Sequence, residues 1–197
     1  MQALQLLDQS VTSFLSPLFV RSGLLEIAFR FLSFDGWWVY VWGIVLIGVS
    51  VWEILVRKDK NRFAQKLLKI IAFASVSIIF VSILIHFVFK PVFHRDRPYV
   101  VAQTSTVNCP RDFSFPSGHA AAAFAGAVIF MYFDHQRKRD ALYLSIALLV
   151  SYSRIALQCH FVLDVIAGAI VGTISSMALL ELANRIKSGG SSLLHKI

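Results

Sequence analysis

His160 and Asp164 stand four positions apart at the head of a long apolar stretch. On a helix that spacing points both side chains the same way. An aspartate accepting from one imidazole nitrogen sets the ring's tautomer and leaves the other nitrogen free to attack an electrophile. A carboxylate this close to an apolar span is expensive to keep, which favours a working role. The plainer alternative is an aspartate that caps or solvates a helix start, with an interfacial histidine beside it. Ser153 and Arg154 lie just upstream, and Arg154 could offer an anion a bidentate fork.

A second cluster, Phe115-Pro116-Ser117-Gly118-His119, directly precedes the small-residue run 120–127. Backbone N–H groups at such a helix opening cradle an anion, because the helix dipole favours negative charge there. His119 would stand beside the bound group, placed to protonate a departing oxygen and then to activate water. Read more plainly, Ser117 is an N-cap and the segment an ordinary loop-to-helix junction. The first cluster along the chain, Lys90-Pro91-Val92-Phe93-His94-Arg95-Asp96-Arg97-Pro98, is rich in cations. Lys90 and Arg97 are residue types that stabilise charge on the non-bridging oxygens of a phosphoryl group. A lysine at the end of a span also snorkels toward headgroups without any such role. Together the clusters offer a nucleophile, an orienting acid, a proton donor and an anion clamp.

The elements that must bring these residues together read as membrane helices. Of the 197 residues 57% are hydrophobic and 15% charged, with 17 Phe and 4 Trp, and the mean hydropathy is +0.68. A soluble core of this size could not use so much apolar side chain without exposing it. The length allows one domain. The net charge of +8 does not point to nucleic acid, because the basic residues cluster between apolar spans rather than along a groove. No basic segment opens the chain, and Asp8 and Pro17 interrupt its first apolar stretch, so a cleaved signal peptide is not expected.

Measured against the ~20 apolar residues that cross a bilayer, five spans are expected, at about 37–56, 70–89, 119–133, 141–153 and 161–182. Residues 1–34 read as one or two amphipathic helices lying in the interface, with one extra span as the competing reading. The expected fold class is all-α, a polytopic transmembrane helical bundle of five or six spans. Its layout is 1–34 as amphipathic N-terminal helices, 35–187 as the membrane unit, and 188–197 as a flexible cytoplasmic tail. Arg57, Lys58, Lys60, Arg62, Lys66 and Lys69, then Arg137, Lys138 and Arg139, then Arg185 and Lys187, fall on one side, which is therefore expected to be cytoplasmic. The loop 90–115 is then extracytoplasmic, yet it carries Lys90, Arg95, Arg97 and Arg111. Cations facing outward against that trend imply a bound anion, and the connection with Arg154, His160 and Asp164 opens on the same face.

Lys90 with Arg97-Pro98, then Pro116-Ser117-Gly118-His119, then Ser153-Arg154 with His160 and Asp164, follow the pattern K-x6-R-P, P-S-G-H and S-R-x5-H-x3-D. In this the chain resembles the type 2 phosphatidic acid phosphatase superfamily, with every signature position matched across residues 90–164. The resemblance implies a helical membrane fold and hydrolysis that needs neither metal nor cofactor. By position it makes His160 the nucleophile, forming a phosphohistidine, Asp164 its orienting partner and His119 the general acid. Lys90, Arg97 and Arg154 would bind phosphate, assisted by Ser117 and Gly118. The short length is similar to bacterial members acting on undecaprenyl pyrophosphate, phosphatidylglycerophosphate or lipid A. The expected substrate is thus a lipid phosphate or pyrophosphate, undecaprenyl pyrophosphate first, met at the outer face of a bacterial inner membrane. No nucleic acid and no obligate protein partner are expected. Two alternatives stay open. The same machinery could pass the phosphate to a second lipid, or the chain could be a transporter with a basic vestibule. The latter predicts internal repeats or broken spans in matching halves, which the chain does not display.

Cys109 and Cys159 are too few for a disulfide framework and lack a zinc spacing. Both should lie near the outer face, where they form either a bridge beside His160 or two unrelated thiols. His86, one turn before Lys90, reads as an interhelical hydrogen-bond partner. Arg95 occupies a free position of the signature and reads as meeting a second phosphate or lipid headgroups. Gly168 and Gly172 read as close packing inside the monomer, with dimerisation as the alternative. His119, His160 and Asp164 would suit zinc by type, but three cations converging on one spot would repel the ion.

Overall fold

The structure is a computed structural model that describes residues 2–16, 23–32, 60–102 and 109–194, with residues 42, 44, 47, 48 and 51 between them. Every regular element among the described residues is helical. The chain opens with α1 (Gln2–Leu15) and α2 (Gly23–Leu32). At 14 and 10 residues each is shorter than the ~20 needed to cross a bilayer.

α1 is inverted relative to a helix on a soluble protein. Asp8, Thr12 and Ser16, one turn apart, are buried, whereas Leu6, Leu7 and Phe14 are 63%, 62% and 69% exposed. A buried polar stripe behind a bare apolar face is the arrangement that lipid surroundings favour. The same inversion runs through the molecule. Lys90, Arg97, Arg154, His160 and Asp164 are buried, while Phe80, Phe87, Leu148, Ile170 and Met177 are exposed.

α3 (Lys60–Leu84) continues through a π-turn (Ile85–Phe89) into the short α4 (Lys90–Phe93), and α5 (Pro98–Val101) follows. Then come α6 (Gly118–Asp134), α7 (Arg137–Ala156) and α8 (Val162–Leu194). Two helical runs, Gln65–Val101 and Val162–Ile186, are long and apolar enough to cross a membrane, and α6 is a shorter apolar helix. The span expected at 70–89 lies within the first run and that at 161–182 falls on the second but for Phe161, while those at 119–133 and 141–153 lie within α6 and α7. The span expected at 37–56 falls outside the described residues, apart from the isolated positions named above. α8 carries helix to Leu194, so residues 188–194 are helical where composition leads one to expect a flexible tail. The long helix continues through Gly189 and Gly190, each of which costs about 1 kcal/mol of helix propensity.

α6 is the central element, packed against α3, α7 and α8. Ala120, Ala121, Ala122, Ala123, Ala125 and Ala127 are buried along it, and such small side chains let neighbouring backbones close in. α8 answers with glycines. A Cβ on Gly168 would strike the Ser117 carbonyl, and one on Gly172 the Ala121 carbonyl. The glycine pair therefore serves packing inside the monomer. Ser77 and Ser176 add a 2.6 Å Oγ–Oγ hydrogen bond between α3 and α8. At the far end of α6 the buried Asp134 accepts from Lys66 Nζ at 2.5 Å, from the Tyr143 hydroxyl at 2.7 Å and from Arg139 at 3.2 Å to each oxygen. At 1.5 Å of rise per residue, Asp134 stands roughly 22 Å along the axis from His119.

Candidate active site at the head of helix α6

The π-turn widens α3 just before Lys90, a device that recurs at functional sites, and Lys90 is buried. His94 then adopts a left-handed conformation at φ 45°, uncommon for a residue with a side chain. Its N–H donates to the Lys90 carbonyl at 3.2 Å, so α4 stops there and the chain turns. Arg97 follows, almost wholly enclosed. Its Nε donates to the Asp112 carbonyl at 2.8 Å, Nη1 to the Cys159 carbonyl at 2.8 Å and Nη2 to the Asp112 carboxylate at 2.5 Å. One guanidinium thus ties its own loop to the loop before α6 and to the loop before α8.

His160 ends the connection between α7 and α8. The Arg154 carbonyl accepts from both the Cys159 and His160 N–H groups, at 3.0 and 3.2 Å. Cys109 and Cys159 are joined in a disulfide, with Cα atoms 5.4 Å apart, so of the two alternatives for these cysteines the bridge is the one present. The imidazole Nε2 lies 3.1 Å from Arg97 Nη1, and Nδ1 lies 3.6 Å from Asp164 Oδ2. Because arginine can only donate, this geometry assigns the ring proton to Nδ1 and the lone pair to Nε2. Burial pushes His160 well below its ordinary value of 6.5, and the charges of Arg97, Arg154 and Lys90 push the same way. At neutral pH the ring is a neutral base.

Asp164 sits in the first turn of α8 with its side chain enclosed. Oδ2 accepts from the Phe161 N–H at 2.9 Å, in the manner of a capping box. The plainer capping role foreseen for Asp164 is therefore present together with its closeness to His160. The same holds for Ser117, whose Oγ accepts from the Ala120 N–H at 3.4 Å as the N-cap of α6. The Ser117 N–H donates to the Asp164 carbonyl at 2.9 Å. That bond sets Ser117, Gly118 and His119, at the head of α6, against the head of α8. His119 stands half-buried in the first turn of α6. Arg154 is buried and close enough to act electrostatically on both Lys90 and His160. Ser153 turns back on its own helix, its Oγ donating to the Val150 carbonyl at 2.6 Å.

Several members of the cluster leave no trace in residue spacing. Asp112 engages Arg97 through Oδ1 and Lys90 through Oδ2, with His86 Nε2 at 3.7 Å. Burial raises the Asp112 carboxyl, but the hydrogen bonds and charges of Lys90 and Arg97 outweigh this and hold it at about 2. A carboxylate therefore rests on the two cations that an anion would use. The interhelical bond expected of His86 is not what forms. Its Nδ1 engages the Ser82 carbonyl of its own helix at 2.9 Å, because one turn back on a helix places that carbonyl within reach. Arg95 is also differently employed than expected, lying between two carboxylates: Nη1 donates to Asp164 Oδ1 and Nη2 to Asp8 Oδ2, both at 2.6 Å. The available signal was Asp8 itself, a charge set into an apolar segment where it is costly. Among the described residues no three His, Cys, Asp or Glu side chains gather as a metal-binding group.

The family model of the PAP2 superfamily matches residues 71–187, more than half of the 197 residues. An undecaprenyl-diphosphatase of Sulfolobus acidocaldarius is 35% identical over 103 residues, covering 47% of this chain and 50% of that protein. The chain spans about half the length of the curated relatives it matches. The crystal structure of Aquifex aeolicus LpxE aligns with a TM-score of 0.57 at 25% identity, covering 87% of this chain and 93% of that one. The transmembrane PAP2-type phosphatidylglycerolphosphate phosphatase of Bacillus subtilis aligns with a TM-score of 0.64 at 20% identity, over 94% and 89% of the two chains, a likeness of fold. The matched region contains every signature residue from Lys90 to Asp164, and the chain belongs to the PAP2 superfamily.

Proposed function

We propose that the protein is an integral membrane phosphatase that hydrolyses a lipid phosphate or pyrophosphate through a phosphohistidine on His160, with undecaprenyl pyrophosphate as the first candidate. The observation that carries this reading is the state of His160: a buried, neutral imidazole whose Nε2 lies 3.1 Å from Arg97 and whose Nδ1 faces Asp164. A neutral ring with its lone pair on the cation side is the form that attacks phosphorus. The phosphoryl oxygens would rest on Lys90, Arg97 and Arg154, assisted by the N–H groups of Ser117 and Gly118, after displacing Asp112. The Nε2–P bond forms as the bond from phosphorus to the leaving oxygen breaks, and His119 gives that oxygen a proton. His119 then takes a proton from water. The water oxygen bonds to phosphorus, the N–P bond breaks, and inorganic phosphate leaves. Asp164 holds the ring and balances its positive charge in the intermediate.

The bare apolar faces of α1, α3 and α8 support residence in the bilayer. The basic loops support a multi-pass layout of five spans, α1 and α2 lying in the interface, the site on the extracytoplasmic side of a bacterial inner membrane. The relatives named above support the substrate class. The test is purified protein in detergent, given undecaprenyl pyrophosphate, phosphatidylglycerophosphate, lipid A and phosphatidic acid in excess chelator. Phosphate release that persists without divalent metal, strongest on one of them, is the expected result. No release from any of them, or release only on adding metal, would overturn the reading. Adding an acceptor lipid tells hydrolysis from transfer, because transfer consumes substrate without freeing phosphate.

A further inference from the structure

α1 lies outside the region that the family model matches, yet through Arg95 it is linked to the Asp164 carboxylate. We propose that Arg95 and Asp8 are positioning residues for Asp164, so that the N-terminal helix forms part of the machinery that aims His160. This inference rests on the phosphohistidine reading above.

The chain of contacts is continuous. Asp8 is buried, and its Oδ2 accepts from Arg95 Nη2 at 2.6 Å. Arg95 Nη1 donates to Asp164 Oδ1 at 2.6 Å, leaving Oδ2 as the oxygen that faces His160 Nδ1. The Arg95 guanidinium also lies over the Phe161 ring, 4.2 Å from its centroid, and Phe161 directly follows His160. A planar fork held by two carboxylates and an aromatic face has little freedom to turn. Arg95 thereby fixes which Asp164 oxygen meets the imidazole and sets a positive charge against the buried side chain.

Asp8 has a second task. Its Oδ1 accepts from the Leu163 N–H at 3.1 Å, and Thr12 Oγ1 accepts from the Val162 N–H at 3.2 Å. α1 thus satisfies N–H groups that the first turn of α8 cannot satisfy internally. Asp8 and Thr12 share this capping role, but only Asp8 also grips Arg95. That difference separates positioning from mere support.

Steady-state phosphate release is measured for Asp8→Asn, Arg95→Gln, Arg95→Lys, the double variant Asp8→Asn/Arg95→Gln and Thr12→Ala, with wild type and His160→Ala as references and with thermal unfolding followed for each. Arg95→Gln is expected to lower kcat by roughly 10- to 100-fold with KM within about twofold, the loss that follows small misplacement of a reacting group. Asp8→Asn should lower kcat by about tenfold. Arg95→Lys, which keeps the charge but cannot fork, should recover little. The double variant should be no slower than Arg95→Gln alone, since both act along one line of contacts. Thr12→Ala should unfold at lower temperature and keep the wild-type kcat. An Asp8→Asn variant with wild-type kcat, losses that appear in KM, losses that multiply in the double variant, or a Thr12→Ala variant slowed as much as Asp8→Asn would each overturn the positioning role. Should Asp8→Asn fail to fold, Arg95→Lys against Arg95→Gln carries the same comparison. A wild-type protein as inactive as His160→Ala would instead sink the phosphatase reading.

Discussion

The two ends of α6 each hold a buried aspartate among cations, and they are built differently. At the C-terminal end Asp134 takes Lys66, Arg139 and Tyr143 within 2.5 to 3.2 Å, a closed set that binds α3, α6 and α7 together. At the N-terminal end the carboxylates are spread over loops. Asp112 lies on Lys90 and Arg97 with its side chain 37% exposed, and Asp164 stands 3.6 Å from a histidine to which it makes no hydrogen bond. The closed cluster has the character of a fastener. The open one has a carboxylate resting on Lys90 and Arg97, with the His160 imidazole 3.1 Å from the same Arg97, the arrangement from which we propose a nucleophile and an anion site. Charge alone does not separate the two clusters; the enclosure of the Asp134 side chain and the exposure of that of Asp112 do.

The sharpest way to break this comparison is to neutralise one aspartate at each end. Asp164→Asn should cost about 10³-fold or more in kcat, the scale seen when the partner that orients a catalytic imidazole is lost, while unfolding stays near wild type. A small loss in kcat would move Asp164 from the chemistry to the cap of α8. Asp134→Asn should do the reverse. Leaving Lys66 and Arg139 without their counter-charge should cost about 3 kcal/mol, a fall in melting temperature of roughly 10 °C for a chain of this size, with kcat per folded molecule within about twofold. Slower turnover at unchanged stability would contradict its assignment as a fastener.

Smaller effects sharpen the picture. Asp112→Asn removes the internal anion from Lys90 and Arg97, so inorganic phosphate should inhibit about fivefold more tightly, as expected when a site no longer has to be vacated first. Unchanged or weaker inhibition would mean that Asp112 helps to build the site rather than to fill it. The last effect concerns pH. His160 is held well below 6.5 in the folded protein, so below 6.5 the unfolded chain takes up a proton that the folded site refuses. Stability should therefore decline as the pH falls from 6.5 toward the depressed folded value. Wild type should lose more melting temperature than His160→Gln between pH 7.5 and 5.5, and parallel losses would contradict the burial of a neutral ring.

Much of the candidate site was legible in the sequence because the residues that the structure brings together sit at short, fixed spacings. Lys90 to Arg97, Ser117 to His119 and Arg154 to Asp164 each lie within eleven residues of chain, at a helix end and the loop beside it. The helical character was legible too, from apolar runs at 70–89 and 161–182. What was not legible joins distant segments. Arg95 meets Asp8 across 87 positions and Asp164 across 69, and no periodicity records such a pairing. Asp112 stood in a loop as one acid among several basic residues, and only the folded loop carries it onto Lys90. The N-terminal helix gave a partial signal. The amphipathic reading of 1–34 did not say which way its polar side faces, and in the structure Asp8, Thr12 and Ser16 turn inward. Where the solvent is apolar, the meaning of an amphipathic stripe reverses.

The central claim is that Nε2 of His160 carries the phosphoryl group between substrate and water, and the most direct measurement is to trap it there. Protein mixed for milliseconds with substrate labelled on its terminal phosphate, then denatured in alkali, should hold label on the peptide containing His160. That label should be lost in acid, turn over at the rate of phosphate release, and be absent from His160→Ala. Phosphate release at full rate with no labelled protein, or label on a different residue, would contradict the account.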